Sequence, residues 1–221
     1  MQSNRDLPPR SMTRSYLLLG LIALLLGTAY AVVLWRMQPR ASDDGVLAAA
    51  PESTDRFAKI QPFELVDSRG KAVTHETWLG RPSIVAFVFT RCTGPCPRVT
   101  SSMKKLYEAT PGDAVRLVTI SVDPEYDTPE VLAQYAKSLD VDVDRWMFLT
   151  GSLAAVHAVS EKSFLLPMQR DATLPVGESI THRTYLTIVD KHGEVRGYYD
   201  GESDAGIEAA LARARFLARS P

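Results

Sequence analysis

Cysteine is nearly absent: 221 residues contain two, Cys92 and Cys96. A fold stapled by disulfides is thereby excluded, because a small core of that kind needs several bridges. An excess of one charge is also missing. Lys and Arg total 25 against 26 Asp and Glu, a net charge of −1. Without a basic field the chain offers nucleic acid no electrostatic footprint, and no nucleic-acid partner is expected. No internal repeat is evident. What remains is ordinary for a globular domain: 45% hydrophobic and 23% charged residues, in a length that fits one domain plus an appendage.

Near the N-terminus runs "YLLLGLIALLLGTAYAVVLW", from Tyr16 to Trp35, without a charge. As a helix rising about 1.5 Å per residue it spans a bilayer core of about 30 Å. A cleaved signal peptide is the rival reading, with "AYA" at Ala29 to Ala31 as its cleavage site. The run is longer than a signal h-region and continues past that site, which favours an uncleaved anchor. Arg5, Arg10 and Arg14 before it outweigh Arg36 and Arg40 after it, orienting the N-terminus inside. The expected organisation is a cytoplasmic tail at 1–15, a transmembrane anchor at 16–36, a linker at 37–56 and a folded domain at 57–221. The linker is small, polar and acidic, without apolar period.

The domain alternates strand and helix signals. "FELVDSRGKAV" reads as a hairpin around Ser68-Arg69-Gly70, and "SIVAFVF" and "VRLVTISV" read as buried strands. Val99, Met103, Leu106 and Tyr107 recur at helical spacing after Pro97. Thr128-Pro129-Glu130 has the chemistry of a helix start. A short strand near Trp146, a helix from Ser152 to Lys162, two strands around Lys191-His192-Gly193 and a last amphipathic helix complete the order. Periodicity alone predicts α/β with one central sheet.

Cys92 and Cys96 sit in "VFTRCTGPCPRVT", a strand-to-helix junction. On a helical turn, positions i and i+4 share one face, so both sulfurs can converge. A helix N-terminus with Arg91 and Arg98 nearby favours thiolate, the form that attacks disulfides and the form that binds metal. Closing so small a ring as a static disulfide would stabilise little. Copper(I) is satisfied by two thiolates and one imidazole, whereas structural zinc takes four ligands. Of the four histidines, His157 lies in a helical pattern, His192 in a hairpin turn and His75 at a loop or helix start. His182 precedes the buried strand "TYLTIVD", at a strand end where ligand sites gather. "DVDVD" at Asp140 to Asp144 imitates a calcium loop but has Arg145 and Gly151 where that loop needs Gly and Glu. Redox and metal roles stay open on these residues alone.

Four pieces resemble the Sco/SenC family of membrane-anchored copper chaperones for cytochrome c oxidase assembly: "FVFTRCTGPCP", "TISVDPEYDTPEVLAQYA", "FLTG" at Phe148 to Gly151, and His182 with its strand ending in Asp190 and Gly193. The resemblance covers about Phe57 to Asp200 and implies a thioredoxin-like central sheet flanked by helices, preceded by the transmembrane helix. It implies a copper ion held by Cys92, Cys96 and His182. Asp123 and Asp127 read as loop and cap residues rather than ligands, and Met168 as an apolar loop anchor. Thr93-Gly94-Pro95 between the cysteines and Arg183 after His182 depart from the family's usual residues.

The resemblance implies a metallochaperone at a bacterial inner membrane, single-pass, with its C-terminal domain in the periplasm. It would deliver copper to the binuclear copper centre of the oxidase. Its partners would be the copper-accepting subunit, another periplasmic copper donor, and the membrane through the N-terminal helix. The alternative is a thiol–disulfide oxidoreductase that uses Cys92 and Cys96 to keep the acceptor's cysteines reduced. A peroxidase of the same fold is a third reading.

Overall fold

A computed structural model describes Tyr16, residues 20–28, Tyr30, and residues 53–112 and 114–220. The chain divides into two compact units, Met1–Gly45 and Val46–Pro221. In the first, residues 20–28 are helical. Among the described residues no helix is long and apolar enough to cross a membrane. The expected tail, the rest of the expected span at 16–36 and most of the linker lie outside the described residues.

The second unit is built on an eight-stranded mixed sheet. Its strands are β1 (Ala58–Lys59), β2 (Glu64–Asp67), β3 (Ala72–Thr74), β4 (Ser83–Val88), β5 (Arg116–Ser121), β6 (Trp146–Thr150), β9 (Tyr185–Val189) and β10 (Glu194–Asp200). Spatial order is β1-β10-β9-β4-β5-β6-β2-β3. β4, β5 and β6 are parallel, while β9 runs antiparallel to β4 and to β10. A separate small ribbon pairs β7 (Gln169–Arg170) with β8 (Ile180–Thr181). The helices are α1 (His75–Trp78), α2 (Cys96–Ala109), α3 (Pro129–Ser138), α4 (Leu153–Ala158) and α5 (Asp204–Arg219).

Local sequence explains the elements. Every residue of β4 and β5 is buried, as expected of central strands; β4 is almost wholly apolar, whereas β5 also buries Arg116, Thr119 and Ser121. Val99, Met103 and Leu106 form the buried stripe of α2. The Thr128 hydroxyl accepts from the Val131 amide at 3.4 Å and Pro129 follows in the first turn, so α3 starts where its cap chemistry dictates. Trp146 stacks on Phe148 with ring centroids 4.9 Å apart, and the Trp146 Nε1 donates to Thr119 Oγ1 at 2.9 Å. Each such buried large side chain contributes about 1.5–3 kcal/mol relative to exposure. Gly70 takes a φ of 74° in the β2–β3 turn, a conformation that side chains resist.

The expected helix over 152–162 is present, but it changes pitch partway. After α4 the chain widens into a π turn at Val159–Ser163, and Leu165 follows with a φ of 52°. The Ser160 hydroxyl donates to the Leu166 carbonyl, turning the chain outward. That departure begins the excursion that ends at His182. The parallel β4–β5 pair, the β9–β10 hairpin and the terminal helix make the thioredoxin-like arrangement that the resemblance implies.

Candidate metal centre

The site lies at the C-terminal ends of β4 and β5, where strands of a parallel sheet deliver their loops to one side. After Val88 the chain forms a tight loop, with the Cys92 amide donating to the Phe89 carbonyl at 3.3 Å. The helix begins at Cys96 itself, with Pro95 at its cap, so Cys92 belongs to the loop rather than to a shared helical face. Neither cysteine is in a disulfide; Cys92 is half-buried and Cys96 buried.

His182 joins them from the far side. Its Nε2 is 3.4 Å from the Cys96 Sγ, its Nδ1 is 3.1 Å from the Arg183 carbonyl oxygen, and its ring meets Phe89 edge-on. A carbonyl only accepts, so Nδ1 carries the proton and Nε2 presents its lone pair to the sulfur. Burial holds the imidazole below its ordinary pKa, which keeps it neutral. Met168 is buried and, with Pro167, Gln169 and His182, lines an open cleft of about 660 Å³.

The Cys96 thiol does not meet the thiolate-favouring field expected of it. Burial pushes the Cys96 thiol well up, and the neighbouring Cys92 side chain adds to the rise. Both arginines are engaged elsewhere: Arg98 pairs with Glu202, and Arg91 with Asp123 while lying over the Tyr126 ring. The raised pKa keeps the buried Cys96 thiol protonated, with the half-buried Cys92 beside it.

The "SVDPEYDTP" loop after β5 is the floor of the site. Asp127 is fully buried and accepts from the Thr90 amide at 3.1 Å and from the Thr90 and Ser121 hydroxyls. Asp123, 1% exposed, accepts from Arg91 through Oδ2, at 2.8 Å from Nε and 2.7 Å from Nη2. Its Oδ1 accepts from Arg170 Nη2 at 2.7 Å, and Arg170 reaches Glu125 at 2.9 Å. Neither aspartate caps a helix; Thr128 does that. The Thr93 amide donates to the Gly177 carbonyl at 3.1 Å, docking the His182-bearing excursion on the cysteine loop.

Cys96 and His182 are thus brought together with Cys92 beside them. Among the described residues no group of three or more His, Cys, Asp and Glu forms a ready metal shell. The other histidines lie apart: His75 opens α1, His157 pairs with Glu161 at 3.9 Å, and His192 sits in the β9–β10 turn. Sequence reasoning missed Arg170 and Gly177, which belong to no motif. The one signal for Arg170 is that two carboxylates at a buried strand end require cationic or hydrogen-bonding partners.

A family model described as SCO1/SenC matches residues 51–216. The chain is 31% identical over 147 residues to a SCO1 protein homolog of Bacillus subtilis, covering 65% of this chain and 74% of the relative. It is similar to a structure of Bradyrhizobium japonicum ScoI with copper bound, at a TM-score of 0.61 and 28% identity, covering 71% of this chain and 99% of that one. A further similar structure is BsSco, described as having a disulfide switch and as a member of the Sco family of cytochrome c oxidase assembly proteins. Its TM-score is 0.58 at 28% identity, with 72% and 96% of the two chains covered.

Proposed function

The chain belongs to the SCO1/SenC family, and from that premise we propose that it is a copper-binding metallochaperone acting in cytochrome c oxidase assembly. The carrying observation is the 3.4 Å approach of His182 Nε2 to the Cys96 Sγ, with Nδ1 occupied by a backbone carbonyl. That tautomer leaves an imidazole lone pair directed at a sulfur, and Cys92 supplies a second sulfur alongside. Two soft thiolates and one neutral imidazole suit copper(I), and the carbonyl on Nδ1 orients the ring as outer partners of metal-bound histidines do. Copper is the cargo: Cys92, Cys96 and His182 hold it, and an acceptor's own thiolates take it by ligand exchange. The acceptor we propose is the oxidase subunit with the binuclear copper centre, and the donor another periplasmic copper protein. The span at 16–36, with its apolar run from Tyr16 to Trp35, anchors the protein in a bacterial inner membrane with the C-terminal domain in the periplasm.

The test is copper(I) competition titration of the reduced full-length chain, with X-ray absorption on the loaded form. His182→Ala is expected to weaken binding by at least 100-fold, and the loaded wild type to show two sulfur and one nitrogen neighbours. Unchanged affinity in His182→Ala overturns the ligand assignment.

The two free cysteines favour a second reading alongside the first. Cys92 is the more accessible and Cys96 lies buried behind it, an arrangement of attacking and resolving thiols. The Cys92 thiolate attacks a disulfide of the acceptor, releasing one acceptor thiolate and forming a mixed disulfide. Cys96 then closes the Cys92–Cys96 disulfide and releases the second acceptor thiol, so one disulfide is reduced and one formed. Cys96→Ser is expected to trap the mixed disulfide.

A further inference from the structure

The side chain that completes the site comes from a part of the molecule with little structure of its own. Between Leu165 and Arg183 there are two strands of two residues each, β7 and β8, and residues 171–176 are all exposed. Leu166, Met168 and Ile180 bury the base of this arm. Two isolated residues of ribbon do not hold a side chain in register by themselves. Something outside the arm must set His182 against Cys96.

We infer that Asp123 is the positioning residue of this imidazole arm, its two carboxylate oxygens tying the thiol loop through Arg91 and the arm through Arg170. The inference rests on the copper-binding reading above and extends it to residues that touch no ligand. Three observations carry it. Asp123 is itself fixed: it is 1% exposed, its amide is held by the Ser121 hydroxyl at 3.1 Å, and its carbonyl accepts from the Tyr126 and Asp127 amides. Its partners lie where leverage is greatest. Arg91 precedes Cys92 in the chain, and Arg170 stands directly across the ribbon from Ile180, two residues before His182. A displacement of Arg170 therefore reaches the imidazole through about 7 Å of chain. Each oxygen serves one side only, Oδ2 the thiol loop and Oδ1 the arm, so one carboxylate measures the gap between them.

The charges support a positioning role over an electrostatic one. Arg91, Arg170, Asp123 and Glu125 sum to zero, so the cluster brings no net charge to the site. The acceptor is buried and each arginine side chain is about a third exposed, which separates this tie from ion pairs with both partners solvated. The Thr93–Gly177 backbone bond is the arm's other polar tie to the cysteine loop, and it lies farther from His182 along the ribbon.

The experiment uses the reduced full-length chain with Arg170→Met, Arg170→Lys, Asp123→Asn and His182→Ala. It reads copper(I) affinity, amide hydrogen exchange over residues 169–184 in the metal-free protein, and the dithiol's equilibrium with glutathione. Arg170→Met is expected to weaken copper(I) binding tenfold or more and to speed exchange in the arm by a similar factor. Its glutathione equilibrium should stay within twofold of wild type, because Arg91–Asp123 still holds the thiol loop. Arg170→Lys is expected to recover affinity to within threefold of wild type. Asp123→Asn should exceed Arg170→Met in both copper and exchange readouts, since it leaves two arginines facing each other. If Asp123→Asn fails to fold, Arg170→Met decides alone. Wild-type affinity and exchange in Arg170→Met, with affinity lost in His182→Ala, overturns the positioning role and leaves the copper reading standing. Wild-type affinity in His182→Ala overturns the copper reading, and arm exchange then decides the clamp by itself.

Discussion

Every residue of β4 and β5 is buried, whereas among residues 165–183 only Leu166, Met168 and Ile180 are. The strands are held by apolar contact on both faces and by a parallel ladder six residues long. The arm has three buried apolar residues at its base, and its polar ties to the cysteine side include a guanidinium on a buried carboxylate and the Thr93–Gly177 backbone bond. Both regions contribute to one site, the strands through the cysteine loop and the arm through His182. The contrast teaches that the sulfurs are placed by the fold and the imidazole by a small number of polar ties. Global stability and site geometry should therefore respond to different substitutions.

The largest effect expected is in the sheet. Phe148→Ala removes a ring stacked on Trp146 and edge-on to Tyr135. It should cost about 3–5 kcal/mol in urea unfolding. If arm hydrogen exchange rises by the same factor as global exchange and no more, the two regions share one cooperative unit at that level. Next is Asp127→Ala, which leaves the Thr90 amide and two hydroxyls without their acceptor. A loss of about 2–4 kcal/mol is expected, with the cysteine loop loosened before the arm. Reactivity of Cys92 toward iodoacetamide should rise, and unchanged reactivity would mean that the loop is held by its own turn.

A smaller change should separate the regions most cleanly. A Cβ at Gly177 would lie 2.7 Å from the Thr93 side chain and 3.1 Å from the Arg91 carbonyl oxygen. Gly177→Ala should push the arm off the cysteine loop at a global cost of about 1 kcal/mol or less, while weakening copper(I) binding several-fold. The smallest effect is a pH slope. His182 has a lowered pKa in the folded chain, so the unfolded chain binds more protons below about pH 6.5. Stability should fall as pH drops through that region, and His182→Gln should flatten the slope; equal slopes would show that the ring is not held in its partly buried place.

Much of the sheet was legible because burial on two faces writes itself as runs rich in apolar and β-branched residues, as in "SIVAFVF" and "VRLVTISV". The helix start at Thr128-Pro129 was legible from cap chemistry, and the one near Cys96 from Pro97 in its first turn. The π turn at Val159–Ser163 was not, since its residues continue a helical pattern and the widening is set by where Leu166 must go. The ribbon escaped because two residues carry no period. Cys92, Cys96 and His182 could be named as candidates from residue chemistry, but their union needed the resemblance. The roles of Arg91 and Arg170 needed coordinates: an arginine beside a cysteine reads as a thiolate stabiliser until a buried aspartate is found to occupy it.

The sheet ends on both sides in very short strands, β1 with two residues and β3 with three. An exposed long edge is a template on which a second chain can pair, and chains held side by side would meet it often. Here an incoming strand finds only a few unpaired groups before Pro62 follows on one side and the helical turn from His75 on the other. Lys59 adds a charge on the first edge, and a bulge between Val195 and Gly197 twists the strand behind it. The molecule can therefore be crowded at high local concentration without its sheets joining, leaving the cysteine loop and the arm free to receive partners.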